Sequence, residues 1–513
     1  MNKKRILAIS SMASLALLVS GCGSSSAESD TAESNNEITI MAPYIETEPP
    51  APGNRLEKEI EEATGTDINI SWVPNTSYED KMNVTLASDD LPKIMIIQGK
   101  SGGFVKSANA GAFWELSDYL DDYPNLAKYD ENILNNSSVN GEVYGIYRRR
   151  DVMRTSVMIR KDWLDNLGLE VPETTEDLYD VAKAFTESDP DGNGQNDTTG
   201  LVIPKWPGSI NSNSPYDVLA TWFGAPNAWG EEGGKLIPSF KTEEYLESLI
   251  YLRDMVENGY INKDFATLAA DKWNDPFVSE TGGGIIIDTF SRAGSITSIF
   301  KETNPDDYSQ FITVIGNLKS SDGELFAHPT DGYSGFLAIP KASVKTEEEL
   351  KEVLSFIDKT NEKEIQVLLN NGIDGVNFNK LDDEYIEIVQ PETEEAAEIN
   401  MAVKNYAQIG TNVAGNDYYT SKPAEGYELE AWERRLGFME HDAEYAVFNP
   451  AAPYISETYT EKGAQLDNII SDARIQFIAG QIDEQGWKDA IELWVKSGGD
   501  DIEAEINELY QGN

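Results

Sequence analysis

From residue 37 onward the chain alternates between short apolar runs and longer stretches of amphipathic spacing. Ile38, Thr39, Ile40 and Met41 read as a buried strand ended by Pro43, and Asn54 is placed to cap a helix that runs through Leu56, Ile60 and Ala63 to a stop at Gly65. Ile68, Ile70 and Trp72 then alternate with polar residues as a strand does, residues 78–87 return to helical spacing, and 93–98 hold an apolar run expected of a strand covered on both faces. The order βαβαβ predicts a parallel sheet with helices packed on it. Extended segments at 141–146 and 156–160 precede a helix through Asp162, Trp163 and Leu164. Thr174-Thr175-Glu176-Asp177 opens another, because a hydroxyl followed by acids suits the positive end of a helix dipole. Residues 241–258 form a further amphipathic helix closed by Gly259. Gly282-Gly283-Gly284 leads into Ile285-Ile286-Ile287-Asp288, a second candidate buried strand, and reads as a strand start or hinge rather than a phosphate cradle. Beyond Lys345 the pattern is mostly helical, and no repeat has a convincing period.

The first residues follow a different logic. Lys3, Lys4 and Arg5 precede an apolar run over 6–19, and Val19-Ser20-Gly21-Cys22 supplies small residues before the only cysteine of the 513-residue chain. A positive region, a short apolar region and an unhindered cut site mark a secretory signal, shorter than the roughly 20 residues that span a bilayer. These four residues resemble the lipobox of bacterial lipoproteins, whose cysteine receives a diacylglyceryl group and whose new N-terminus in some organisms gains a further acyl chain such as palmitate. The expectation is a signal over 1–21, cleavage before Cys22, and a lipidated flexible tether over 22–36, since 23–36 carry no large apolar side chain to offset ordering.

Composition narrows the chemistry. A formal charge of −50 argues against nucleic acid, whose phosphates need clustered Lys and Arg, and fits a well-solvated monomer outside the cytoplasm. The body lacks cysteine, so disulfides and thiolate catalysis drop out. Its two histidines, His328 and His441, are far apart and fit packed or exposed side chains better than ligands. No G-x-S-x-G, H-E-x-x-H, Walker or G-x-G-x-x-G motif is present.

Two signals remain. In Asp189-Pro190-Asp191-Gly192-Asn193-Gly194-Gln195-Asn196-Asp197, oxygen side chains at positions 1, 3, 5 and 9 with Gly at position 6 match the start of an EF-hand-like calcium loop. Gly200 stands where the bidentate Glu at position 12 belongs, so the site departs from a full EF-hand. The second signal is aromatic: Trp206, Trp222, Trp229, Trp273 and Tyr333 lie beside Gly, Pro and Asn in expected loops, suited to stacking on sugar rings. Arg150 and Asp331 complete the candidate ligand set as hydroxyl-bonding groups.

The chain resembles the extracellular solute-binding lipoproteins of carbohydrate ABC importers, family 1, and among them the larger calcium-containing members. The resemblance rests on 19–22, Asn140-Gly141-Glu142-Val143-Tyr144-Gly145-Ile146, 159–169 with Val171-Pro172-Glu173-Thr174, the 189–197 loop, Phe223-Gly224-Ala225-Pro226-Asn227, and 477–482 followed by Trp487. It implies an α/β, two-lobe, periplasmic-binding-protein-like fold with an interlobe ligand cleft and several hinge crossings, with lobe one at 37–148 plus 284–338 and lobe two at 149–283 plus 339–513. It also implies structural calcium held by Asp189, Asp191, Asn193, Gln195 and Asp197; the acid usual after the ninth position is Thr198 here. The expected partners are a carbohydrate, ABC permease subunits and, through Cys22, the extracytoplasmic face of the cell membrane. The expected role is capture of an oligosaccharide without catalysis. A glycan-cleaving enzyme and a peptide-binding lipoprotein share the same leader, acidity and aromatics.

Overall fold

The computed structural model describes residues 37–512 except 47, 89, 207–213, 280–281 and 417. The signal, Cys22 and the tether therefore lie outside the described residues. Strands β1 (Glu37–Tyr44), β2 (Asp67–Pro74), β3 (Ile94–Ile97) and β4 (Ile146–Arg149) join a later strand, β11 (Tyr333–Ala338), in a five-stranded sheet of order β2-β1-β3-β11-β4. β1 runs parallel to both β2 and β3, as the βαβαβ pattern predicts. The first crossover helix, Arg55–Thr64, starts at Asn54, whose side chain accepts the Glu57 N–H, and stops at Gly65 in the left-handed conformation (φ 65°).

The second sheet has the order β10-β5-β9-β6 and comprises β5 (Thr155–Arg160), β6 (Thr199–Leu201), β9 (Gly283–Thr289) and β10 (Ile312–Ile315). Strand alternation divides its side chains between two cores. Val157, Ile159, Ile285 and Ile287 pack with the helices that carry Trp163, Phe185, Leu249 and Phe477, whereas Met158 and Ile286 meet Trp273, Phe277 and Phe300 on the other face. The glycines that open β9 admit this packing: a Cβ on Gly284 would stand 2.1 Å from the Phe185 ring and one on Gly283 1.8 Å from Val202. They form the start of a strand, as expected. Between the sheets in sequence, the helix Thr175–Glu187 begins with the Thr174–Asp177 capping box.

The lobe boundaries differ from those expected. β9 and β10 hydrogen-bond to β5, so 284–315 belongs to the second lobe, and the chain returns to the first only at β11. From there Ile339, Val344 and the helices Glu347–Lys359, Lys363–Asn370 and Glu394–Tyr406 stay in the first core as far as Val413. A run such as Ile285–Ile287 identifies a doubly covered strand without naming its neighbours; only the pairing does. The first lobe thus uses 37–149 and 333–413. The second uses 155–315 and the long helices after Tyr427, including Glu457–Ile478 and Glu484–Trp494. No helix among the described residues is long and apolar enough to cross a membrane.

Candidate functional site

Parallel strands end at one edge of a sheet, and the loops beyond those ends are where open α/β folds hold ligands. The segments after β2 and β3 carry Glu79 and Lys100 to that edge, where they wall a cavity of about 530 Å³. The opposite wall comes from the second lobe: Ala228 and Trp229, the 449–456 segment, and Ile502 beneath. Asp331 and Tyr333, on the chain returning to the first lobe, close the side. The volume lies within the 300–1,000 Å³ range of ligand sites, and both lobes contribute to it.

Lys100 is the central cation of this wall. Its Nζ donates to the carbonyls of Asn136 (2.7 Å), Ser138 (2.9 Å) and Ala452 (2.5 Å), so it ties the first lobe to a segment of the second. Burial pulls its ammonium down to about 8, opposed by the Asp331 carboxylate. Burial conversely raises the Asp331 carboxyl, with Lys100 opposing.

Of the expected ligand residues, Trp229, Asp331 and Tyr333 line the cavity. Trp222 and Trp273 do not. Trp222 ends the helix Pro215–Trp222 fully buried, its Nε1–H donating to Asn317 Oδ1 at 3.0 Å. Trp273 is equally enclosed and donates to the Val202 carbonyl at 3.0 Å. Each indole has found a partner inside the core, which leaves no face for a sugar. Trp206 is half-buried edge-on against Trp273, with ring centroids 5.8 Å apart, and lies off the cavity. Arg150 is exposed beside the site, its backbone N–H donating to the Gly332 carbonyl at 2.8 Å between Asp331 and Tyr333. Glu79 and Lys100 are absent from the expected set, although a charged residue just past the apolar run 94–97 signals the ligand edge of a parallel sheet.

One histidine is packed and the other exposed, the two placements expected of them. His328 is buried, with Nδ1 2.8 Å from Thr221 Oγ1, and burial lowers it to about 4, so it is neutral near pH 7. His441 is an exposed ring against Asp442 at 3.0 Å.

The acidic loop folds around Asn193. Asp189 accepts the N–H groups of Asn193 (3.1 Å) and Gly194 (3.0 Å), and the Asn193 amide donates to Asp191 (2.8 Å) and towards Asp197 (3.3 Å). The Gln195 side chain enters no such bond; its backbone N–H donates to Asn193 Oδ1 at 2.7 Å. Desolvation raises the Asp191 carboxyl, and the neighbouring Asp189 and Asp197 add to this against the Asn193 N–H. Among the described residues, no three acidic, histidine or cysteine side chains are placed as a ready metal cage. The departures from an EF-hand have a structural cause. Thr198 is buried, donating to the Phe185 carbonyl at 2.7 Å, and a Cβ on Gly200 would lie 2.3 Å from the Ala182 carbonyl. Both positions serve the contact of β6 with the preceding helix, where a Glu cannot fit.

Two α/β lobes joined by repeated crossings around a shared cavity define a solute-binding protein. The family model for bacterial extracellular solute-binding proteins matches residues 48–366, and the chain belongs to that family. It is 47% identical over 498 residues to lipoprotein LipO of Bacillus subtilis, covering 97% of each chain. It is 34% identical, over 99% of each, to the polygalacturonan/rhamnogalacturonan-binding protein YtcQ of the same organism. Among solved structures, an HMO-binding, ABC-transporter-associated solute-binding protein of Bifidobacterium longum infantis matches 93% of this chain and 99% of its own, with TM-score 0.71 at 17% identity. That last likeness is one of fold.

Proposed function

We propose that the protein captures an oligosaccharide in the cavity between its lobes and presents it to the permease of an ABC importer, breaking no bond in the ligand. The observation that carries this reading is the composition of the cavity: residues of both lobes meet there, with the half-buried Tyr333 and the edge of the largely buried Trp229 in its lining beside Glu79, Lys100 and Asp331. Aromatic faces suit the C–H faces of sugars, and charged or amide groups suit hydroxyls. The name of YtcQ, similar along its full length, points the same way. Lipidation at Cys22 would hold the protein on the extracytoplasmic face of the membrane, in keeping with the name of LipO.

The 189–197 loop supports a structural calcium site in this reading. Asp189, Asp191 and Asp197 gather around the backbone and amide of Asn193, and a cation drawing their oxygens together would relieve the repulsion among the three carboxylates. Asn166, which donates from Nδ2 to the Pro190 carbonyl at 2.9 Å, would link the loop to the body.

A thermal-shift screen of the purified protein against glycans and peptides, followed by analysis of the recovered hit, tests the capture role. A glycan at 100 times its Kd should stabilise by about 2.7 kcal/mol and be recovered intact. Stabilisation by peptides alone, or new reducing ends in the glycan, would overturn the reading.

A further inference from the structure

Four of the chain's twelve arginines, Arg148, Arg149, Arg150 and Arg154, fall within the seven residues that leave β4 and cross to β5, in a protein with 90 acids and 40 Lys and Arg. Such a chain has carboxylates available to neutralise every arginine. Only Arg149 has one here, Asp130 at 3.8 Å; among the described residues no carboxylate stands within 4 Å of the guanidinium groups of Arg148, Arg150 or Arg154. Arg148 donates from Nη1 to the Ser334 carbonyl (3.0 Å), while its Nε is buried without a hydrogen-bond partner. Arg154 touches Ser291 Oγ at 3.2 Å. Asp288, the acid at the end of β9, is already paired with Arg292 at 3.0 Å.

The three side chains feel one another. Burial, then the charge of Arg150, pulls Arg148 down to about 10, with Tyr78 opposing; burial and then Arg154 lower Arg150, with Asp151 opposing. The segment that carries the cluster adjoins the cavity. Tyr78 lines a smaller hollow of about 230 Å³ that shares Glu79, Lys100 and Ser101 with the main one. The arginine segment is bonded to the cavity's side wall through Arg150 N–H to the Gly332 carbonyl and Thr330 N–H to the Val152 carbonyl, both 2.8 Å. The wall's own acid, Asp331, is balanced by Lys100. Like charges held together beside a cavity, one with a buried donor left over, cost free energy that a bound anion would recover.

We propose that the ligand is an acidic oligosaccharide whose anionic groups seat on Arg148, Arg150 and Arg154 at the lobe crossing. This rests on the reading of the cavity as an oligosaccharide site. A guanidinium fork matches the two oxygens of a sugar carboxylate in a way that a neutral hydroxyl does not. Uronates and sulfated sugars present the same kind of charge, and the binding experiment separates them.

Calorimetric titration would use trimers and tetramers of galacturonate, glucuronate and mannuronate, their methyl esters, and sulfated and neutral oligomers of the same lengths. An anionic form should bind roughly tenfold or more tightly than its uncharged counterpart and weaken with salt; the uronate and sulfate arms identify the anion. Arg150→Gln and Arg154→Gln, each checked for an unchanged melting curve, should erase that preference and leave the weak binding of the uncharged form. Equal or better binding of neutral or esterified oligomers would overturn the acidic ligand and leave carbohydrate capture standing. No binding of any oligosaccharide, with a peptide bound instead, would overturn both.

Discussion

A buried indole must find an acceptor for its N–H, and where it finds one decides what the ring is for. Trp222 donates to Asn317 and Trp273 to Val202, so each ring is a structural wedge; Tyr333, half-buried beside Gly332, and Trp229, largely buried beside Asn227 and Gly230, instead reach the cavity lining. Trp222→Ala should therefore cost about 3–5 kcal/mol of stability in a denaturant titration, with ligand affinity of the folded fraction unchanged. Tyr333→Ala should lose less stability and weaken binding several-fold, since its ring is half-buried at the cavity wall. A stable Trp222→Ala protein that no longer binds would reverse the two assignments. The candidate site is legible only in part for this reason: loop composition marks an aromatic as free of helical spacing, but its acceptor comes from residues some 70 to 95 positions away in sequence. The place of Lys100 just past the apolar run 94–97 marks the ligand edge, but its role in tying the lobes depends on the carbonyl of Ala452, 352 residues later.

At the scale of elements, local signals are reliable and partners are not. The Asn54 cap, the Gly65 stop, the Thr174 capping box and the βαβαβ start all form where spacing places them, because each depends on neighbours within one turn or one strand. The sheet to which β9 belongs is set by its pairing with β5, more than 120 residues earlier, and nothing in the Ile285–Ile287 run encodes that choice. The 189–197 loop combines both cases: its turn is local, but the lack of a position-12 acid follows from packing of Gly200 on the helix before it. If calcium completes the loop, chelation should lower the melting temperature, and Asp191→Ala should lower it to the chelated value and abolish the response. Either change removes the cation's bridge between the loop's carboxylates, so both lower stability. Elemental analysis of protein prepared in calcium and found free of it would dismiss the site.

For the whole molecule the question is how a cavity built from two lobes becomes a receptor for a transporter. The chain passes between the cores after β4, before β11 and again beyond Val413, so relative movement is confined to a few crossings and the lobes can rotate as packed units. At one edge they are already held: Lys100 grips the Ala452 carbonyl, Asn140 N–H donates to the Pro453 carbonyl at 2.8 Å, and the Asn140 side chain accepts the Ile455 N–H at 2.8 Å. These bonds place the hinge beside the segment that leads into the helix Glu457–Ile478 and leave the far rims to approach. A ligand that touches Lys100 and Tyr333 from one side and Trp229 from the other has more contacts when the rims are close, and such differential binding is all that can shift the equilibrium. Small-angle scattering should therefore show the radius of gyration falling on saturation with the glycan identified by thermal shift. Lys100→Met, which keeps the bulk of the stem but loses three hydrogen bonds, should loosen the hinge and enlarge the ligand-free radius. A tightly bound glycan that leaves the radius unchanged would mean the lobes are rigidly docked, and the permease would then have to recognise the ligand itself rather than a closed form of its carrier.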